Sequence, residues 1–147
     1  YNFPIIFSTH PRTKKQLSKI GIIPNDNIKF HDPLGFIDYV ALQKNSFLVL
    51  SDSGTISEEA SILNFRAINI RSSHERPEAM EEASVIMADI KKGRILRAIN
   101  SSITQSKTKR NFEKVNDYSF TNVSKKVERI ILSYTDYINH NVWRKEF

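Results

Sequence analysis

Several short polar segments in this chain carry residue types that bind phosphate, and each follows an apolar run typical of a strand. The most informative is Ser51-Asp52-Ser53-Gly54-Thr55, which precedes a helical pattern. A glycine lets the backbone approach a ligand closely, and the N–H groups at a helix N-terminus attract anions. We therefore expect Ser53, Gly54 and Thr55 to bind a diphosphate, and we expect Asp52 or Ser53 to cap the helix.

Two adjacent acids, Glu58 and Glu59, stand about one turn into that helix. One of them is able to reach back and accept hydrogen bonds from ribose hydroxyls, as acidic side chains do in nucleotide-binding folds. The alternative is an ordinary capping box with an acidic pair on the surface. The segment is not a Walker loop, because no Gly-Lys-Ser/Thr closes it.

The second segment, Arg71-Ser72-Ser73-His74-Glu75-Arg76-Pro77-Glu78, also lies between a strand pattern and a helix pattern. Arg71 and Arg76 are suited to the same phosphates, since guanidinium matches phosphate bidentately. Pro77 and Glu78 fit the first turn of the helix that follows. The alternative is a surface loop with an arginine–glutamate pair, which contributes under about 1 kcal/mol.

Two further strand ends carry weaker signals. His10, in Ser8-Thr9-His10-Pro11, is able to donate to a phosphate or a sugar hydroxyl, although a lone histidine is more often structural. Phe36 and Tyr39 follow the Pro33–Gly35 turn, and either ring is able to stack on a nucleobase. Core packing is the alternative for at least one of the two rings, because they lie at helical spacing.

The elements that position these segments alternate between strand and helix. Apolar runs joined by short helices indicate right-handed crossovers, a mostly parallel sheet and the α/β class. The fold expected is a Rossmann-like doubly wound sheet with buried strands, which binds ligands beyond their carboxyl ends. Strands are predicted at 3–8, 27–30, 46–50, 67–70 and 85–87, and helices at 11–20, 34–44, 56–63, 78–83, 91–102 and 123–138.

Three regions are predicted along the chain. Residues 1–104 form the Rossmann-like nucleotide-binding domain, and the polar residues 105–122 form a connection. Residues 123–147 form a final helix and a tail, in which an apolar stripe and the side chains of Trp143 and Phe147 pack towards an N-terminal domain. The chain begins at Tyr1 and enters an apolar run at once, which we interpret as a domain from a longer polypeptide.

Composition narrows the function classes. The chain has 147 residues, no cysteine and a net charge of +6, so neither a disulfide framework nor a thiolate metal site is available. Its basic residues are scattered without interleaved aromatics, which argues against nucleic-acid binding. No HExxH pattern, Gly-x-Ser-x-Gly elbow, signal peptide or membrane-spanning run is present. We expect a cytoplasmic protein without a metal or a cofactor.

The combined motifs resemble a known family. Asp52-Ser53-Gly54 with Glu58-Glu59, followed by a strand and Glu75-Arg76-Pro77-Glu78, is similar to the bacterial non-hydrolysing UDP-N-acetylglucosamine 2-epimerases over residues 3–103. The segment from Asn122 to Tyr137 resembles a narrower branch that acts on UDP-N-acetyl-6-deoxyhexoses in capsule and O-antigen synthesis, towards N-acetyl-L-fucosamine.

This resemblance implies two Rossmann-like domains of the glycosyltransferase-B type, with this chain as the C-terminal, nucleotide-binding half. It implies an isomerase that inverts carbon 2 of a UDP-N-acetylhexosamine by eliminating and re-adding UDP. Ser53 and Gly54 resemble the diphosphate loop, Glu59 the ribose acceptor, Arg76 the phosphate-binding arginine and His10 a cleft histidine. The family's acid and base carboxylates lie on the N-terminal domain, so the chain alone is expected to be inactive.

Three departures from the family pattern accompany the resemblance. Arg66 stands where a proline is expected, and Ala88-Asp89 replaces a Val-Gly pair. Tyr118-Ser119-Phe120-Thr121 replaces a glycine-rich turn. None of these touches the predicted nucleotide residues.

Several alternatives stay open at this stage. The chain is either half of an epimerase, a UDP-binding remnant without chemistry, or the C-terminal domain of a glycosyltransferase. The expected partners are UDP or a UDP-N-acetylhexosamine and an N-terminal domain or complementing chain. A homodimer is left open.

Overall fold

The computed structural model describes residues 1–21, 25–105 and 109–146. They form two compact units, Tyr1–Phe47 and Leu48–Phe147. Both are of the α/β type with parallel strands, which confirms the predicted class. The strands form two separate sheets rather than one continuous sheet. The division into 1–104, 105–122 and 123–147 stays a prediction, and residues 106–108 of the connection lie outside the described residues.

The first unit contains two strands and two helices: β1 (Ile5–Ser8), α1 (Pro11–Ile20), β2 (Ile28–His31) and α2 (Phe36–Asn45). The strands pair in parallel, with Ile5 opposite Ile28 and Ser8 opposite His31. Helix α1 has the predicted bounds. It ends at Gly21, whose φ of 66° lies in the left-handed region that glycine adopts without steric cost.

The prediction that the first strand is buried is wrong. Every residue of β1 is exposed, and β2 has only one half-buried residue. The physical reason is the lack of cover within this unit. Helix α1 buries no side chain, and α2 buries only Gln43. Apolar contacts among the described residues of this unit include the stacked rings of Phe3 and Phe47, whose centroids lie 4.6 Å apart.

The second unit is built around a three-stranded parallel sheet in the order β3-β4-β5, with helices on its connections. Val49 lies opposite Ala67, and Ile68 lies opposite Ile86. The central strand is buried at all three positions. The elements are β3 (Val49–Ser51), α3 (Ile56–Leu63), β4 (Ala67–Asn69), α4 (Pro77–Glu81), β5 (Ile86–Met87), α5 (Lys92–Ile103), a 3-10 turn (Asn116–Ser119) and α6 (Val123–Asn141).

Two apolar clusters hold this sheet between its helices. On one side Ile56 and Ala60 of α3 pack with Ala67 and Val85. On the other side Ile68 packs with Ala98 of α5 and with neighbouring isoleucines. Small residues on the helices, such as Ala60 and Ala98, allow close approach to the sheet, so these clusters form the buried core of the unit. It fixes the carboxyl ends of β3 and β4, where the candidate site lies.

The predicted connection is more ordered than its sequence indicates. Val115 is buried, and its N–H donates to the Ser61 hydroxyl of α3 at 2.9 Å. The guanidinium of Arg110 donates to the Ser61 carbonyl at 2.8 Å. These bonds tie the segment after residue 109 to α3, one through the Arg110 side chain and one through the Val115 backbone.

Helix α6 forms as predicted and extends to Asn141, but none of its residues is buried. Its stripe of Val127, Ile130 and Ile131 is exposed. Trp143 is 63% exposed, with the Lys145 ammonium 4.6 Å from the centre of its ring. Phe147 lies outside the described residues. Packing of this region onto an N-terminal domain stays a prediction.

Candidate functional site

The loop between β3 and α3 joins two parts of the buried core over four residues. Strand β3 ends at Ser51, whose hydroxyl accepts a hydrogen bond from the Ser53 N–H at 3.1 Å. Helix α3 then begins with Thr55 at its N-cap, and no side chain caps it. The prediction that Asp52 or Ser53 caps the helix is therefore wrong, since the chain turns into the helix two residues later. The positive end of the helix dipole is left without a side-chain acceptor.

A directed chain of hydroxyl groups crosses this loop. The Thr55 hydroxyl donates to the Glu59 carboxylate at 2.8 Å, and the Ser53 and Thr55 hydroxyl oxygens lie 3.0 Å apart. A hydroxyl has a single proton to donate, and Thr55 gives its proton to the carboxylate. The Ser53 hydroxyl must therefore donate to Thr55, so the chain runs from Ser53 through Thr55 to Glu59.

Arg71 extends over the loop from the end of the neighbouring strand. Because β3 and β4 are adjacent and parallel, their carboxyl ends meet at one edge of the sheet. The Ile70 N–H donates to the backbone carbonyl of Ser51 at 2.9 Å. The Arg71 Nη1 atom lies 3.8 Å from the point where a side chain on Gly54 would begin. Its Nη2 atom lies 3.3 Å from the Glu75 carboxylate. One guanidinium edge thus faces the glycine of the loop.

Arg76 contacts the first turn of α3. Its Nε donates to the Glu58 carboxylate at 2.6 Å, and its Nη1 donates to the Glu75 carbonyl at 3.1 Å. The hydrogen bond and the charge of Glu58 raise the pKa of Arg76 above its ordinary value. Glu58 keeps a second buried oxygen that has no hydrogen-bond partner within the described part of the chain.

The residues that follow Arg76 form the start of helix α4. Pro77 occupies the first turn of α4 and Glu78 lies beside it, as the sequence predicts. Glu78 accepts a hydrogen bond from the Tyr118 hydroxyl at 2.8 Å. This bond lowers the pKa of Glu78, while burial and the same bond raise the pKa of Tyr118. The sequence does not predict this role of Tyr118, because the segment around it has no periodic pattern. The phenol hydroxyl, which is able to donate a hydrogen bond, is the one feature that points to it.

Three predicted site residues belong to the first unit. His10 is the N-cap of α1, and its Nδ1 accepts from the Arg12 N–H at 3.2 Å. Its capping role leaves the Nε2 side of the ring for any other partner. Phe36 is 81% exposed, so core packing does not explain its ring, whereas Tyr39 is half-buried. The functional roles of these three residues stay predictions.

Taken by chemistry, the second unit presents two guanidinium groups and a helix N-terminus around one glycine loop. Such a set is suited to an anion with several oxygens, because arginine binds phosphate bidentately and the helix dipole favours negative charge. The acids Glu58 and Glu75 neutralise part of this charge.

No helix among residues 1–21, 25–105 and 109–146 combines the length and apolar character needed to cross a membrane.

The parallel α/β unit, with a glycine loop after β3 and a helix following it, has the arrangement of a Rossmann-like fold. A family model described as UDP-N-acetylglucosamine 2-epimerase matches residues 1–132. The chain therefore belongs to the UDP-N-acetylglucosamine 2-epimerase family. The enzyme of that name from Methanocaldococcus jannaschii is 36% identical over 115 residues, which are 76% of this chain and 31% of that protein.

Solved structures agree with this assignment. A UDP-N-acetylglucosamine 2-epimerase from Rickettsia bellii is 51% identical with a TM-score of 0.84, over 99% of this chain and 40% of that one. The Methanocaldococcus jannaschii enzyme in complex with UDP-GlcNAc and UDP is 33% identical with a TM-score of 0.77, over 88% of this chain and 36% of that one. The chain thus spans between about a third and two fifths of the length of these relatives.

Proposed function

We propose that this chain is the UDP-binding part of a UDP-N-acetylhexosamine 2-epimerase. The observation that carries the proposal is the placement of Arg71 over Gly54 and of Arg76 against the first turn of α3. Two arginines from one loop thereby flank the N-terminal end of a helix. The related Methanocaldococcus jannaschii enzyme was solved with UDP-GlcNAc and UDP, which supports a uridine diphosphate as the ligand.

In this proposal the diphosphate lies against Gly54. The absence of a side chain lets the phosphate oxygens reach the N–H groups that begin α3, and Arg71 covers them from the other side. Arg76 supplies the second positive charge. Its bond to Glu58 uses Nε, so the outer edge of the guanidinium keeps donors for a phosphate. Glu59 accepts hydrogen bonds from the ribose.

The reaction proposed for the complete enzyme inverts carbon 2 by losing and regaining UDP. Removal of the carbon 2 proton requires a general base within hydrogen-bond reach of it. The two acids on α3 have other partners here, Glu58 with Arg76 and Glu59 with Thr55. We therefore place the acid and base on an N-terminal domain supplied by the rest of a longer chain or by a partner, and expect this chain alone to be inactive.

The finer assignments belong to the same proposal. The chain would act in the cytoplasm in nucleotide-sugar synthesis for capsule or O-antigen, on a UDP-N-acetylhexosamine.

Binding of UDP without turnover is the second candidate function. It is favoured by the hydrogen bonds that both acids of α3 already make within the chain. Mixing the chain with the N-terminal part of the Rickettsia bellii relative separates the two. Recovered interconversion of UDP-GlcNAc and its carbon 2 epimer supports the epimerase, whereas UDP binding without turnover supports the second candidate.

Calorimetric titration with UDP tests the binding proposal. The chain should bind UDP with a dissociation constant between about 1 μM and 1 mM. Arg76→Ala should weaken binding by about tenfold or more, because a charge-assisted bond to phosphate is lost. Arg94→Ala is the matched control, since Arg94 pairs only loosely with Asp89 at 3.7 Å and belongs to α5. A folded wild-type chain that does not bind UDP contradicts the proposal.

A further inference from the structure

The two neighbouring acids of α3 are held in different ways. Glu58 accepts from the guanidinium of Arg76, whereas Glu59 accepts from the hydroxyl of Thr55, one helical turn before it. Thr55 is the N-cap residue of the helix, yet its hydroxyl makes no capping bond to the backbone. The hydroxyl is thus directed to the carboxylate rather than to the free N–H groups that an N-cap threonine ordinarily satisfies.

This departure from the ordinary capping geometry has two effects. It leaves the start of α3 without a side-chain cap, although the Ser57 N–H donates to the Gly54 carbonyl at 3.4 Å, and it restrains the carboxylate of Glu59. A glutamate side chain has three rotatable bonds, and fixing it when a ligand binds lowers the affinity. A hydrogen bond that fixes it beforehand removes part of that cost. Ser53 strengthens the arrangement by donating to Thr55.

We propose that Thr55 is a positioning residue that holds the Glu59 carboxylate ready for the ribose hydroxyls of a uridine nucleotide. The proposal rests on the proposed function and adds a determinant of ribose recognition within it. The Thr55 hydroxyl acts through Glu59, whereas the diphosphate is bound by backbone N–H groups of the loop and by the arginines. Replacing Thr55 with the isosteric valine removes the hydroxyl and keeps the backbone N–H, so it weakens recognition of the ribose while leaving recognition of the diphosphate in place.

The test compares two ligands, UDP and 2′,3′-dideoxy-UDP, which lacks both ribose hydroxyls. The wild-type chain should prefer UDP. In Thr55→Val the affinity for UDP should fall by about 5-fold, and the affinity for the dideoxy nucleotide should stay unchanged. Thr55→Ser keeps the hydroxyl and should restore the preference. Glu59→Gln sets the reference value for a chain whose ribose acceptor is uncharged.

The outcomes separate the two claims. A wild-type chain that binds neither nucleotide overturns the proposed function itself. A wild-type chain that prefers UDP, together with a valine variant that keeps the same preference, overturns the role of Thr55 alone. Equal weakening of both nucleotides in Thr55→Val also overturns it, because a general disturbance of the loop would act on the diphosphate as well. The thermal midpoint of each variant shows that it is folded.

Discussion

Strand β4 is buried along its whole length, whereas every residue of β1 is exposed, although both begin with apolar side chains. The difference comes from the helices next to them in the chain, α3 before β4 and α1 after β1. Helix α3 buries four of its residues, including Ile56 and Ala60, and α1 buries none. An apolar run thus indicates a strand, but the small and apolar residues of the neighbouring helices determine whether that strand is buried in a core.

The same contrast separates the candidate site residues. The loop at Gly54 and both arginines project from the buried sheet, where packing fixes the backbone around them. His10 and Phe36 project from the unit whose sheet is exposed. Precise binding of a diphosphate requires a rigid frame, so we propose that the nucleotide binds to the second unit.

The largest effect is expected from core truncation. Ile68 lies at the centre of β4 with 0% exposure. Ile68→Ala should lower the free energy of unfolding of the chain by about 2–5 kcal/mol, because the smaller side chain leaves a cavity. Ile6→Ala is the matched control in β1, where the side chain is 50% exposed and the cost should stay below about 1 kcal/mol. Urea denaturation measures both. Equal losses of unfolding free energy at the two positions would show that β4 is no more important to the core than β1.

A smaller effect is expected at Asp89, whose φ of 61° lies in the left-handed region. Its N–H donates to the Arg71 carbonyl at 3.2 Å, and its carboxylate accepts from the Ile90 N–H at 2.7 Å. The expectation that Ala88-Asp89 touches none of the predicted nucleotide residues is therefore wrong. Asp89→Ala should destabilise by about 1–2 kcal/mol, since alanine keeps the strain and loses the bond. Asp89→Gly removes the strain and should cost about 1 kcal/mol less than alanine. Equal unfolding free energies of the two variants would disprove the strain.

The smallest effect is a pH-dependent one at Tyr118. Its bond lowers the pKa of Glu78 in the folded state, so it stabilises the fold above the ordinary carboxylate range, and this stability is lost as the pH falls through the folded pKa. Tyr118→Phe should therefore melt at a lower temperature than wild type at pH 7. The gap should narrow as the pH falls below about 4. A gap that is constant with pH would show that lost packing, rather than Glu78, is responsible.

Much of the second unit could be predicted from the sequence. The bounds of α3, the strand at Ala67 and the placement of Pro77 follow from apolar spacing and proline preference. The convergence of Arg71 on the Gly54 loop also follows, because both segments end parallel strands. These are local or topological rules, and they do not depend on the partners of single side chains.

The remaining features depend on contacts between residues distant in sequence. The bond from Tyr118 to Glu78 spans 40 positions, and the bond from Val115 to Ser61 spans 54. No periodicity signals either one. The wrong prediction of a cap at Asp52 or Ser53 has a different origin. Several neighbouring side chains are suited to capping a helix, but the N-cap of α3 is Thr55 and no side chain makes the capping bond.

The most direct measurement is the change in backbone amide NMR shifts when UDP is added to the isotope-labelled chain. We expect the largest shifts at Gly54 and Thr55, which lead into α3, and at Ile56, its first residue, with further shifts at Arg71 and Arg76. Shifts confined to the first unit, around Phe36 for example, would contradict the placement of the nucleotide on the buried sheet. So would a folded chain whose spectrum UDP leaves unchanged.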